Sequence, residues 1–226
     1  WNTRYANFAP RLGFAYKLRE TSGSETILRA GTGLFYDTGN TQAGGGYYFG
    51  TTERVDTTGR SFPVPAPDVT SLAITKSYQA YAFDPSLKLP RSWHWNVTLE
   101  QALGSQQSLK VGYVGSATRQ LLRYNQFDGV NPVITSIGIT TNEGRSDYNA
   151  LQMEYQRRMT RGLQVLASYT WSHSLDNASS NFRIELPLQR ASSDFDIRHN
   201  AQLALSYQIP GRSMLMRNWS VSSRIS

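Results

Sequence analysis

Histidines and carboxylates are the residues of this sequence best suited to bind a ligand. The candidates are His94, His173, His199, Asp194 and Asp196. Imidazole and carboxylate groups together can bind a metal ion or a metal chelate. The alternative is that these residues hydrogen-bond at the bases of loops, with Asp194 and Asp196 pairing with Arg198 where a strand begins. Nothing in the sequence brings the three histidines together, so we expect ligand contacts here but no metal site.

A second group of candidates is aromatic and lies in a long segment between predicted strands. Its members are Tyr47, Tyr48, Phe49, Tyr78 and Tyr81. Aromatic loop residues can stack on a sugar, a peptide or a chelate ring. The alternative is a loop that packs on itself.

Motifs typical of enzymes are missing from the sequence. It has no HExxH, no GxSxG and no P-loop, and Gly31-Thr-Gly33 lacks the third glycine of a dinucleotide loop. With no cysteine, disulfides, thiolate metal sites and cysteine nucleophiles are excluded. We therefore expect neither catalysis nor a cofactor. The net charge of +7 does not predict nucleic-acid binding, because no basic helix or RNP-like motif accompanies it.

The elements that position these residues are best seen in one predicted hairpin at 148–174. Apolar and polar residues alternate along both arms, at about 151–156 and 163–172, with Leu166 as the one exception. Strict alternation is the period of a strand with two chemically different faces. The polar segment 157–162 predicts a short turn ending on glycine.

The length of each arm indicates a membrane. About ten residues is what a tilted strand needs to cross a bilayer, whereas soluble strands average about five or six. Aromatic residues near strand ends are typical of the girdles that contact lipid headgroups. The predicted girdle residues are Trp93, Trp95, Tyr155, Tyr169, Trp171, Tyr207 and Trp219.

The same alternation recurs along the chain and predicts about eight strands in four hairpins. Turns within hairpins are short, whereas long connections cover about 37–90, 117–146 and 175–196. Outer-membrane barrels have this arrangement, with the long loops extracellular. A hydrophobic fraction of 39%, with 13 Tyr, 5 Trp and 18 Gly, suits two-faced strands better than an apolar core. We therefore predict an all-β fold: an antiparallel, up-and-down transmembrane β-barrel segment with short periplasmic turns, in contact with lipid of the cell outer membrane.

We expect residues 1–226 to form a partial outer-membrane β-barrel domain. The sequence opens on Trp1-Asn-Thr-Arg without a leader and stops within an alternating segment at Ser226. We interpret it as a stretch of a larger barrel. An isolated piece of this kind would expose unpaired strand edges, so we expect it to aggregate or to pair through them.

Seven motifs in order resemble one family. They are Asn7–Tyr16, Leu28–Asp37, Trp95–Gln101, Gly112–Ser116, Tyr148–Gln152, Tyr169–Ser174 and Ser193–Asn200. In this order they resemble the barrel domain of Oar-like TonB-dependent outer-membrane receptors, a family abundant in acidobacteria. The resemblance covers nearly the whole chain except about 40–88.

The resemblance implies a barrel of about twenty-two strands. It also implies a plug and a TonB-contacting segment, neither of which is among these residues. The full protein would bind an unknown extracellular ligand through its outer loops and pass it inward through the lumen. One alternative is a structural or adhesive outer-membrane protein without transport. A soluble carbohydrate-binding β domain is another.

Overall fold

Every regular element that the structure describes is a β-strand. The computed structural model describes residues 7–37, 78–129, 134–177, 190–208 and 219–225. The strands are β1 Arg11–Arg19, β2 Thr26–Tyr36, β3 Tyr78–Phe83, β4 Arg91–Leu103, β5 Gln107–Asp128, β6 Ile134–Thr160, β7 Leu163–Asp176, β8 Ala191–Ser192, β9 His199–Tyr207 and β10 Trp219–Ile225. Among the residues in these ranges, no helix is long and apolar enough to cross a bilayer.

The strands form a single sheet that is not closed. Its main path is β1-β2-β4-β5-β6-β7-β9-β10, and every neighbouring pair on it is antiparallel. This path confirms the prediction of about eight antiparallel strands. Two shorter strands lie off the path, since β3 pairs in parallel with the start of β6 and β8 pairs with the end of β7.

The register keeps one face of the sheet apolar from strand to strand. Leu28 lies opposite Leu99, and Leu99 lies opposite Val111. The same row continues through Met153 to Tyr169. Residues directly opposite each other in an antiparallel pair point to the same side. We call this side the apolar face, and the other the polar face.

The apolar face is not covered by protein. Leu12, Phe14 and Trp171 are 74%, 57% and 54% exposed, and among the described residues Ala150 and Pro90 are the only buried apolar side chains. Exposed apolar area of this extent is unfavourable in water. In a bilayer the hydrocarbon covers it, which is the arrangement of a transmembrane barrel wall.

The segment 117–146, which we predicted as a loop, is mostly β-strand. β5 continues to Asp128 and β6 begins at Ile134, so most of that segment is strand. Apolar and polar residues do not alternate regularly in this segment, because the pairing of β5 with β6 shifts in register around Leu121. The neighbouring Gln120 has a positive φ of 62°. A bulge of this kind re-aims the side chains that follow it.

Three smaller corrections concern the connections. The segment 157–162 is not all turn, because β6 runs to Thr160 and only Arg161 and Gly162 make the turn. Both have positive φ, 51° and 81°, as a two-residue hairpin turn requires. The segments 37–90 and 175–196, predicted as loops, contain β3 and β8.

Candidate functional site

The polar face carries hydrogen-bonding side chains beside small residues. A Cβ atom added to Gly31 would lie 3.3 Å from Nδ2 of Asn96, and one added to Gly112 would lie 3.0 Å from Oγ1 of Thr98. Charged groups also lie on this face, where Lys110 is opposite both Glu100 and Glu154. The face is therefore polar and closely packed near the backbone, which suits the lining of a wide lumen.

His94 lies on the polar face within a small aromatic and polar group. Its ring meets the ring of Phe35 edge-on at 4.9 Å between centroids, and its Nε2 is 2.7 Å from Oγ of Ser92. The guanidinium carbon of Arg11 lies 4.5 Å from the centre of the Phe35 ring. Phe35, Ser92 and Arg11 were not predicted as site residues. Their alternation with Leu34, Trp93 and Leu12 in the sequence is the signal that would have placed them beside His94.

His173 is part of a different cluster that fixes the segment before β9 onto β7. Its Nδ1 lies 3.1 Å from Oδ2 of Asp196, which also accepts a 2.7 Å hydrogen bond from Nε of Arg198. Oδ1 of Asp196 accepts the backbone N–H of Ser174 at 2.7 Å. This is the loop-base pairing that the sequence offered as an alternative to ligand binding. Asp194 lies in the same turn and also makes an interaction of its own.

The surroundings of Asp196 favour its ionised form. The backbone N–H of Ser174 is the main reason that the pKa of this carboxyl lies below its ordinary value of 3.8, and His173 and Arg198 add to the effect against the opposing effect of burial. Both carboxylate oxygens already accept hydrogen bonds. In the part of the chain that the structure describes, no group of three or more potential metal ligands is found.

His199 lies on the apolar face, away from His94. It is opposite Trp171 in the register, and its Nδ1 is 2.8 Å from the hydroxyl of Tyr169, with the two rings stacked at 6.2 Å. The structure thus separates the three histidines: His94 is on the polar face, and His173 and His199 are on the apolar face. A joint site of all three histidines does not form.

The aromatic loop candidates are only partly described. Tyr47, Tyr48 and Phe49 lie outside the described residues, and only the backbone of Tyr78 is described. Tyr81 stacks on Tyr124 with 6.0 Å between ring centroids. Burial is the main cause that raises the pKa of Tyr124, and the neighbouring Tyr81 adds to it. This stacked pair lies beyond the bulge, on the extension of the sheet formed by β3, β5 and β6.

The predicted girdle residues share the apolar face. Trp93, Trp95, Tyr155, Tyr169, Trp171 and Tyr207 all fall on it by register, and Trp219 pairs with Tyr207. Tyr155 and Tyr207 lie near the short turns, whereas Trp93 and Trp171 lie towards the opposite ends of their strands. Contact of these residues with headgroups remains a prediction.

A buried polar cluster beyond the bulge was missed by the sequence analysis. Asn177 accepts the backbone N–H of Arg145 at 2.7 Å and donates to the carbonyl of Glu143 at 3.0 Å. Arg123 donates to the carbonyl of Asn177 at 3.2 Å, and Asn125 donates to the carboxylate of Glu143 at 2.9 Å. Within the described residues, Nε of Arg123 and Oδ1 of Asn125 are buried without a hydrogen-bond partner. The cluster attaches the end of β7 to the extended part of β5 and β6.

Solved structures that share this fold include two with outer-membrane proteins. One is the outer membrane transporter YddB from Escherichia coli, with a TM-score of 0.56 and 12% identity over 89% of this chain and 30% of that one. The other is FpvAI in its complex with pyocin S2, with a TM-score of 0.54 and 13% identity over 92% of this chain and 22% of that one. The chain thus spans less than a third of the length of either of these chains.

No curated protein sequence matches the chain. The family model of the outer membrane beta barrel domain does match, over residues 1–226. The antiparallel sheet, its exposed apolar face and the fold of these two structures agree with that match. The family match locates the protein in the outer membrane. The chain belongs to the outer membrane beta barrel domain family.

Proposed function

We propose that the chain is part of the barrel of a TonB-dependent outer-membrane receptor of the Oar-like type. In the full protein the extracellular loops bind a ligand and the lumen passes it inward, so the role is binding and transport rather than catalysis. The observation that carries this proposal is the polar face. A wall whose inner surface is hydrogen-bonding, charged and rich in small residues suits a wide lumen that holds further protein.

The fold relatives support the same function. YddB is an outer membrane transporter, and FpvAI forms a complex with pyocin S2. We propose that two aromatic groups of this chain contact the ligand. Tyr81 and Tyr124 stack beyond the bulge, and Phe35 lies between Arg11 and His94 on the polar face. Both groups offer ring surfaces beside hydrogen-bonding atoms, which suits a sugar, a peptide or a chelate.

The proposal is tested through TonB, the energy-coupling partner that it requires. The natural full-length protein is purified in detergent, and its binding to the carboxy-terminal domain of TonB from the same organism is measured by calorimetry. We expect binding that is lost when the segment preceding the plug is deleted. Absence of binding by the intact protein would contradict TonB-dependent transport and favour a structural or adhesive barrel.

A further inference from the structure

Three arginines lie side by side across adjacent strands. The register places Arg91 of β4 opposite Arg119 of β5, and Arg119 opposite Arg145 of β6. Residues opposite each other share a face, so all three lie on the side of the sheet that carries Trp93. All three are exposed. We call Arg91, Arg119 and Arg145 the arginine row.

The arginine row is poorly neutralised by the protein. Asp147 pairs with Nη2 of Arg119 at 2.7 Å and with Nη2 of Arg190 at 2.8 Å. Among the described residues, no carboxylate lies within ion-pair distance of Arg91 or Arg145. Four arginines and one aspartate leave a net charge of +3 on this patch. Like charges placed directly opposite each other in a sheet repel, so the row favours an external anion.

The position of the row relative to the apolar face points to the lipid headgroups. On β4, Arg91 is the next residue on that face after Trp93, so the row begins where the apolar band ends. On β6, Arg145 is ten residue steps from Tyr155, which lies near the short turn, and this is roughly 34 Å along a strand. A tilt of about 40° reduces this to roughly 26 Å across the membrane, close to the height of a barrel's apolar band. The arginine row therefore lies at the level of the lipid headgroups.

The polar face next to the arginine row is uncharged on β4, β5 and β6. The adjacent residues on the polar face are Ser92, Thr118 and Ser146, which are opposite each other and uncharged. Oγ of Ser92 bonds Oγ1 of Thr118 at 2.8 Å. On β4, β5 and β6, therefore, no charged residue lies on the polar face directly next to the arginine row.

We propose that the arginine row binds phosphate groups of lipid headgroups in the outer leaflet of the outer membrane. The planar guanidinium offers two parallel N–H groups that match phosphate oxygens. Asp147 holds Arg119 and Arg190 in position, while no carboxylate of the described residues competes for Arg91 or Arg145. The inference rests on the location in the outer membrane and on the long connections facing outward, and it does not require transport.

The test uses the natural full-length protein in a neutral detergent, with bisphosphorylated lipid A as the probe and lipid A without phosphates as its matched partner. Binding is measured by native mass spectrometry, and thermal stability is followed in parallel. The wild-type protein should bind the phosphorylated lipid and be stabilised by it. The triple variant Arg91→Gln, Arg119→Gln, Arg145→Gln should bind about tenfold or more weakly and gain little stability. In detergent alone its Tm should equal or exceed that of the wild type, because repulsion is removed.

The control removes three positive charges from the polar face instead. It carries the substitutions Lys17→Gln, Arg29→Gln and Lys110→Gln, all on the polar face by register, and it should bind lipid A as the wild type does. If the triple variant does not fold, the three single variants replace it, and each should weaken binding. Equal losses in both triple variants, or equal binding of lipid A without phosphates, would overturn the proposal. Equal stabilisation by inorganic phosphate would assign the row to a soluble anion rather than to lipid.

Discussion

The side chain of Asn142 forms a reciprocal pair of hydrogen bonds with the backbone of Lys88. Its Oδ1 accepts the N–H of Lys88 at 2.6 Å, and its Nδ2 donates to the carbonyl of Lys88 at 2.9 Å. The same Nδ2 donates to the carbonyl of Gln120 at 2.8 Å. One side-chain amide thus joins the segment before β4 to the bulge in β5. It pairs with both the N–H and the carbonyl of Lys88, as the backbone of a neighbouring strand would.

Replacing Asn142 should release this segment. In Asn142→Ala three hydrogen bonds are lost and two carbonyls and one N–H lose a partner, so we expect a loss of about 1–3 kcal/mol in the free energy of unfolding. The peptide bond after Lys88 should also become sensitive to trypsin, and limited proteolysis followed by mass spectrometry measures this directly. Asn200→Ala is the control, because Asn200 accepts only a long 3.4 Å bond from Gln202. Unchanged cleavage after Lys88 would show that Asn142 does not hold the segment.

Asp196 should make stability depend on pH. Its pKa in the folded protein lies below the ordinary value of 3.8, because the backbone N–H of Ser174 favours the carboxylate. A lowered folded-state pKa contributes stability above the unfolded pKa, and this contribution is lost as the pH falls through the folded pKa. Asp196→Asn should therefore unfold at a lower temperature than the wild type at pH 7, and the difference should shrink below about pH 4.

Thermal unfolding of the full-length protein in detergent at pH 7 and at pH 3.5 measures the effect of Asp196. Glu20→Gln is the control, since the ion pair of Glu20 with Lys17 is 3.8 Å long and exposed. Its substitution should change little at either pH. A difference between Asp196→Asn and wild type that stays constant with pH would contradict the role of the charge.

The wall of the sheet depends on a close contact between Trp95 and Gly115. These residues are opposite each other on β4 and β5, and the indole ring occupies the space that a side chain at position 115 would need. Gly115→Val should displace the ring and lower the free energy of unfolding by roughly 1–3 kcal/mol. Gly13→Ala is the control, because the added methyl would meet only the carbonyl oxygen of Ala30 at 3.5 Å.

A double-mutant cycle identifies the cause of that loss. If the valine acts by displacing the indole, Gly115→Val should cost much less in a protein that already carries Trp95→Ala. An equal cost in both backgrounds would assign the effect to the backbone of β5 and not to the ring.

The alternation of apolar and polar residues was sufficient to predict the strands that carry the apolar face. Leu99, Val111 and Met153 could be assigned to one face because each alternates with polar neighbours, and the register confirms it. The same parity separates the histidines: His94 falls between Trp93 and Trp95, whereas His173 is two residues after Trp171. Reading that parity would have shown that His94 cannot share a site with the other two.

The extension of β5 and β6 beyond the bulge could not be predicted in this way. Past Gln120 the strands have left the apolar band, so no hydrophobic contrast marks their two faces. The parallel pairing of β3 with β6 is non-local and has no signal of its own in the sequence. The buried group of Arg123, Asn125 and Asn177 depends on both features, and it became visible only in the fold.

The unbroken register has a consequence for how such a gene can change. Below the bulge, β5 pairs residue for residue with β4 and with β6, without a shift between Gln107 and Arg119. Deleting one codon within that stretch would exchange the two faces beyond the deletion, turning Lys110 or Thr118 towards lipid and Tyr113 towards the lumen. In this stretch, only insertions or deletions of an even number of residues keep each side chain on its face of the sheet. Single-codon insertions and deletions should persist in the long connections and be eliminated from the strands between them.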